Sequence, residues 1–179
     1  MSAATLSRFE SALNELDATV SYVDGDGFRD HLEGVVQPHA VGVALEETFD
    51  DPALSLTETS VEVDPAPATL RTAKTGVTGA SLGIADYGSL VLTVTDRASE
   101  LVSLFVERHV VVVRAEDVEA DMESAVDAFG AEFRETGGSA VIATGPSSTA
   151  DMGALVKGAH GPREVHVVVL TEGESAEGE

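Results

Sequence analysis

The chain is predicted to be α/β, a single domain with a mainly parallel sheet flanked by helices, on three observations. The apolar runs Val110–Val113 (VVVV) and Val165–Leu170 (VHVVVL) do not alternate polar with apolar residues, so both faces of those strands are covered. Strand and helix signals alternate through the second half, the order of parallel strands joined by helical crossovers. With 179 residues, no internal repeat and no linker, there is one domain's worth of chain.

In order along the chain, Leu6, Phe9, Leu13 and Leu16 recur at helical spacing, with Ser7 and Glu10 at capping-box distance, so residues 4–17 read as an amphipathic helix. A turn-rich stretch around Asp24–Gly27 precedes a short helix over Phe28–Val36, completing an N-terminal helical part of about 1–38. Ala40–Leu45 reads as the first buried strand. Residues 50–68, with Pro52, Pro65 and Pro67, read as a loop with one extended piece at Val61–Val63. Leu90–Thr95 is a strand, Leu101–Val106 a short helix and Val110–Val113 a strand. Glu116–Phe133 carries Val118, Met122, Ala125, Phe129 and Phe133 on one helical face, with Glu116, Asp117 and Glu119 at its positive end. Gly137-Gly138 ends it; Ala140–Ala143 and Val165–Leu170 are the last strands. The domain is expected over 1–170, before an acidic, flexible tail at 171–179.

Composition narrows the function. Ten Lys and Arg against 32 Asp and Glu give a net charge of −22, while 43% hydrophobic content keeps the chain from being disordered. With no Cys there is no disulfide framework, no thiolate for an iron–sulfur cluster and no thiol nucleophile. Eight Arg and two Lys (Lys74, Lys157), scattered along the chain, give no basic patch for a phosphate backbone, so no nucleic-acid partner is expected. The N-terminus carries neither basic nor apolar signal regions, and the longest apolar runs are of four residues, far short of the roughly 18 that span a bilayer. A cytoplasmic protein without membrane insertion is expected. Acidic residues spread from Glu10 to Glu179 point to adaptation to a salt-rich cytoplasm, where screening over about 3 Å at molar salt suppresses self-repulsion. The other reading is an ordinary acidic protein, equally stable at low and molar KCl.

Three stretches combine glycines with polar side chains where strands meet turns. Thr75–Ser89 matches neither a dinucleotide fingerprint nor a P-loop, and reads as a structural turn or as a ligand loop offering Thr78, Gly88 and Ser89. In Gly145-Pro146-Ser147-Ser148-Thr149-Ala150-Asp151, Ser147 or Ser148 capping a helix near Thr149 would turn free N–H groups and hydroxyls on a carboxylate or phosphate; an ordinary helix start fits as well. In Gly158–Glu164, His160 suits acid–base work and Arg163 carboxylate recognition, although a turn histidine is commonly just hydrogen-bonded in place. His31, His39, His109 and His166 show no metal-ligand spacing, so no metal site is expected.

Gly83–Leu92 (GIADYGSLVL), Gly145–Asp151 (GPSSTAD) and Gly158–His166 (GAHGPREVH) together resemble the successive signatures of LUD-domain proteins, closest to the lactate-utilisation protein C type, over about Gly76 to Leu170. The resemblance implies a fold similar to the ribose-5-phosphate isomerase, glucosamine-6-phosphate deaminase and CoA-transferase superfamily. It also implies a role in L-lactate utilisation, the oxidation of lactate to pyruvate beside iron–sulfur partner proteins, with the clusters on the partners and no cofactor here. The family's Ala-Glu-Thr-Gly-Thr motif has Asp86, Tyr87 and Ser89 at its Glu, Thr and second Thr positions, and Ser148 stands where Arg commonly follows Pro-Ser.

Three functions follow as expectations. The first is a cluster-free accessory subunit binding a small carboxylate or phosphate. The second is a stand-alone enzyme on a phosphorylated or acyl substrate, with Asp86 or His160 catalytic. The third is a non-catalytic scaffold. The expected ligand-binding residues are Thr78, Gly88, Ser89, Gly145, Ser147, Ser148, Thr149, Asp151, His160 and Arg163.

Overall fold

In the computed structural model, which describes residues 2–95, 99–151 and 154–171, the VVVV run points alternately into two cores. Val110 and Val112 join one, Val111 and Val113 the other, and all four are fully buried. Such a strand cannot alternate in polarity, because water meets neither face.

The elements are, in order, α1 (Ala3–Glu15), β1 (Thr19–Asp24), α2 (Phe28–Val35), β2 (Ala40–Gly42), α3 (Leu45–Phe49), a 3₁₀ turn at Pro52–Leu54, β3 (Glu62–Val63), α4 (Pro67–Leu70), β4 (Thr75–Gly79), β5 (Leu82–Ile84), β6 (Ser89–Thr93), α5 (Ser99–Leu104) and β7 (Arg108–Arg114). A second 3₁₀ turn at Ala115–Asp117 leads to β8 (Val118–Glu119), α6 (Met122–Thr136), β9 (Ala140–Thr144), β10 (Ser148–Asp151), β11 (Ala154–Lys157) and β12 (Glu164–Thr171).

Six strands, in the order β1-β12-β7-β4-β2-β3, form an all-parallel sheet. One face packs on Phe28 and Leu32 of α2, Leu45 and Phe49 of α3, and Leu54 and Leu56. The other packs on Phe9 and Leu13 of α1 and on Leu90 and Leu92 of a four-stranded sheet ordered β8-β5-β6-β9. Ile84 and Val91 on the far side of that smaller sheet meet Ala125, Met122 and Phe129 of α6. A two-stranded hairpin, β10-β11, lies along the chain between β9 and β12.

Several local expectations are corrected. Ser2, not Ser7, caps α1, accepting the Thr5 N–H at 3.2 Å. The N-terminal part is not wholly helical: β1 pairs in parallel with β12 from Thr19↔His166 to Asp24↔Thr171. The strand over Ala40–Leu45 stops at Gly42, and Leu45 begins α3. Thr75–Ser89 is not a loop, since it holds β4 at the centre of the parallel sheet and β5. Gly76 serves close packing there, because a side chain on it would collide with the Val102 carbonyl of α5. Helix α6 begins at Met122, where Asp121 accepts the Ser124 N–H at 2.9 Å; Glu116 and Asp117 lie in the preceding turn. No helix starts near Thr149: Ser148–Asp151 is a strand, which removes the expected helix-end anion cradle. Residues 172–179 of the expected tail lie outside the described residues.

Candidate functional site

Bends far apart in sequence meet at the amino ends of β7 and β12, around a cavity of about 430 Å³. Gly145, Ser147, Ser148 and Thr149 supply one wall, and His160, Gly161 and Pro162 another. Leu13 and Gly88, Ser103 and Leu104 of α5, His109 of β7 and Val141–Thr144 of β9 also line it. The Gly145–Thr149 wall follows the carboxyl end of β9 in the smaller sheet. That point is, however, the amino edge of the parallel sheet, opposite the usual ligand edge of open α/β folds.

Two backbone devices hold the walls. Ser147 donates its N–H to the Pro162 carbonyl and accepts the Gly158 N–H on its own, both at 2.8 Å, locking one bend to the other. Its Oγ accepts the His160 N–H at 3.4 Å. Gly88 and Gly145 adopt φ of +59° and +64°, and a side chain would press on the Leu13 N–H or Leu16 respectively. These glycines therefore seat the end of α1 under the cavity; their role here is packing.

His109 is the group that residue-type reasoning passed over. It is 3% exposed, and burial pushes its imidazole down to about 4. Its Nε2 lies 2.8 Å from the Thr78 hydroxyl, and its Nδ1 has no hydrogen-bond partner among the described residues. A neutral ring fixed at one nitrogen and free at the other, on a cavity wall, can give or take one hydrogen bond to a ligand. The signal available in the sequence was Thr78, already a candidate, which pairs with His109 across two neighbouring strands.

The remaining candidates divide. Gly88, Gly145, Ser147, Ser148, Thr149 and His160 line the cavity directly. Ser89 sits one bond behind, its hydroxyl 2.7 Å from that of Thr144, a lining residue. Thr78 supports His109 and is itself buried. Arg163 lies outside, in an adjoining groove. Asp86 is not part of the lining; its carboxylate pairs with Arg8 on the surface. The side chain of Asp151 lies outside the described residues. Among the described residues no group of three or more His, Asp or Glu is placed to hold a metal ion, and no helix is long and apolar enough to cross a membrane.

A family model described as the LUD domain matches residues 6–170. A protein from Deinococcus radiodurans named Lactate utilization protein C is 28% identical over 158 residues, which cover 87% of this chain and 69% of that protein. A solved structure described as a DUF162 family protein, also from Deinococcus radiodurans, superposes with a TM-score of 0.71 at 22% identity, over 95% of this chain and 99% of that one. That agreement extends to the whole fold.

Proposed function

The chain belongs to the LUD-domain family, and from that premise we propose that it is a cluster-free, ligand-binding subunit of a lactate-oxidising assembly in the cytoplasm. The observation that carries this reading is the cavity that His109, held at Nε2 by Thr78, lines together with hydroxyl-bearing bends. The name of the Deinococcus relative supports the pathway.

The cavity chemistry suits a small hydroxy acid. Ser147, Ser148 and Thr149 offer hydroxyls to a carboxylate, and His160 can add an imidazole donor. His109 Nδ1 would meet the hydroxyl on the neighbouring carbon. With a pKa held near 4, His109 stays neutral at ordinary pH, so it orients a ligand without storing its proton. Oxidising lactate to pyruvate releases two electrons and two protons. This chain has no thiolate to ligate a cluster, so the electrons are assigned to iron–sulfur partner proteins.

Reconstitution tests the reading. The iron–sulfur proteins that co-purify with this chain in molar KCl are assayed for lactate-dependent dye reduction, with and without it. Dye reduction should need the chain and should fall when His109→Leu replaces it. Equal rates without the chain would remove it from the pathway.

A further inference from the structure

The His109 cavity is not closed. It shares Leu104, His160 and Gly161 with a groove of about 600 Å³, which in turn shares Glu107 and Arg163 with a polar cleft of about 300 Å³. The three depressions form one trench along the amino edge of the parallel sheet. Such a length exceeds what a three-carbon acid needs; sites for larger ligands span roughly 300–1,000 Å³.

The middle of the trench is apolar. Phe105 is 63% exposed and Leu104 44%, although the chain has only six Phe among 179 residues. Their neighbours Val102 and Val106 are buried, so the end of α5 presents Phe105 from an anchored position. An exposed aromatic ring on a firm support is a surface for a flat or apolar body.

The far end is cationic, in a protein of net charge −22. Lys74, Arg108, Lys157 and Arg163, dispersed in sequence, gather there. Three of them already have partners: Lys74 pairs with Glu107, Arg108 with Glu164 at 2.7 Å and Lys157 with Asp17 at 2.7 Å. The cleft's two carboxylates, Glu107 and Glu164, are thereby engaged. Arg163 has no ion pair within 4 Å among the described residues, although its charge helps to lower the Glu107 carboxyl, and its stem lies across Gly158, where any side chain would collide with it. Beside it, Arg108 Nε is buried without a hydrogen-bond partner. A guanidinium held by packing, with no carboxylate in direct contact, matches a phosphate or carboxylate, the anions that guanidinium geometry fits.

We propose that the trench binds an extended organic anion, its flat or apolar body on Leu104 and Phe105, its phosphate or carboxylate end on Arg163, and its opposite end directed to the His109 cavity. Its Arg163 and Phe105 portion lies outside the cavity assigned to lactate, and only the opposite end reaches that cavity.

Calorimetric titrations, at the lowest KCl that keeps the protein folded, test it with adenosine diphosphate and 4-phenylbutyrate, which share a flat body but end in phosphate or carboxylate. Adenosine and pyrophosphate serve as the body alone and the anion alone for the first probe, and benzyl alcohol and butyrate for the second. At least one two-part probe should bind saturably and at least tenfold more tightly than either fragment, and its identity names the anion. Arg163→Gln and Phe105→Ser, both at exposed positions, should each weaken that binding at least tenfold while circular dichroism and lactate affinity stay unchanged. No saturable binding of either two-part probe would overturn the proposal. So would binding indifferent to both substitutions.

Discussion

Two histidines have pKa values pushed to about 4, and one of them, His109, lines a cavity. His166 on β12 is saturated: its Nδ1 lies 2.7 Å from the Thr19 hydroxyl and its Nε2 2.9 Å from that of Ser21, which lies 2.7 Å from His31 Nε2. Burial, then Arg108 and His31, keeps it neutral. His109 lines a cavity and is held at one nitrogen only, by Thr78, with no partner for the other among the described residues. A depressed pKa therefore does not mark a site by itself; the unspent hydrogen-bonding capacity does. His166 ties β1 to the sheet, whereas His109 has an edge left for a ligand.

The largest effect, to which both depressed histidines contribute, is in acid. Between 6.5 and about 4 the His109 imidazole takes up a proton in the unfolded chain but not in the folded one, so stability is lost as pH falls through that window. Its share is about 3 kcal/mol at the bottom of the window. Denaturation curves from pH 7 to 4 in molar KCl should show His109→Gln flattening this limb by about that amount. Curves for variant and parent that fall in parallel would place the acid sensitivity elsewhere.

Next in size is the loss of the saturated histidine. His166→Phe leaves the Thr19 hydroxyl without its ring partner and removes one of two from Ser21, which costs about 2 kcal/mol in unfolding free energy. Lactate affinity should be untouched. His109→Leu should give the reverse pattern, at least a tenfold loss of lactate affinity, or about 1.4 kcal/mol, with a smaller stability change because only Thr78 loses a partner. If both variants lost affinity equally, the separation of the two histidines would fail.

The same contrast explains what could be read from the residues. Strands covered on both faces announce themselves: Val110–Val113 and Val167–Val169 are buried throughout, and their runs need no partner to be recognised. Strand β1 does not, because TVSYVD is half-exposed, and its Ser21 is satisfied by histidines 10 and 145 residues away. Strand β11 is exposed at all four positions and carries no pattern, so the Ser-Ser-Thr-Ala-Asp ahead of it read as a helix cap. The cavity's bends were legible, since Gly, Ser and Thr clusters form turns for local reasons. His109 was not, because its standing depends on a hydroxyl 31 residues earlier. The gathering of Lys74, Arg108, Lys157 and Arg163 depends likewise on strand order, which no local window contains.

The smallest effect is expected at Asp86. It occupies the position of the family motif's glutamate, which made it a candidate base or nucleophile, yet its carboxylate pairs with Arg8 on α1 and does not line the cavity. The Arg8 side chain is 56% exposed and that of Asp86 33%, so water screens the pair and its contribution stays under about 1 kcal/mol. Asp86→Asn should therefore change unfolding free energy by less than that and leave lactate affinity within twofold of the parent. A catalytic carboxylate would behave differently: the variant would fold normally and bind ligand, but lactate-dependent dye reduction in the reconstituted assembly would fall by orders of magnitude. Such a loss would move the reacting centre from the His109 cavity to the β5–β6 turn, and the comparison of the two histidines would then describe binding alone.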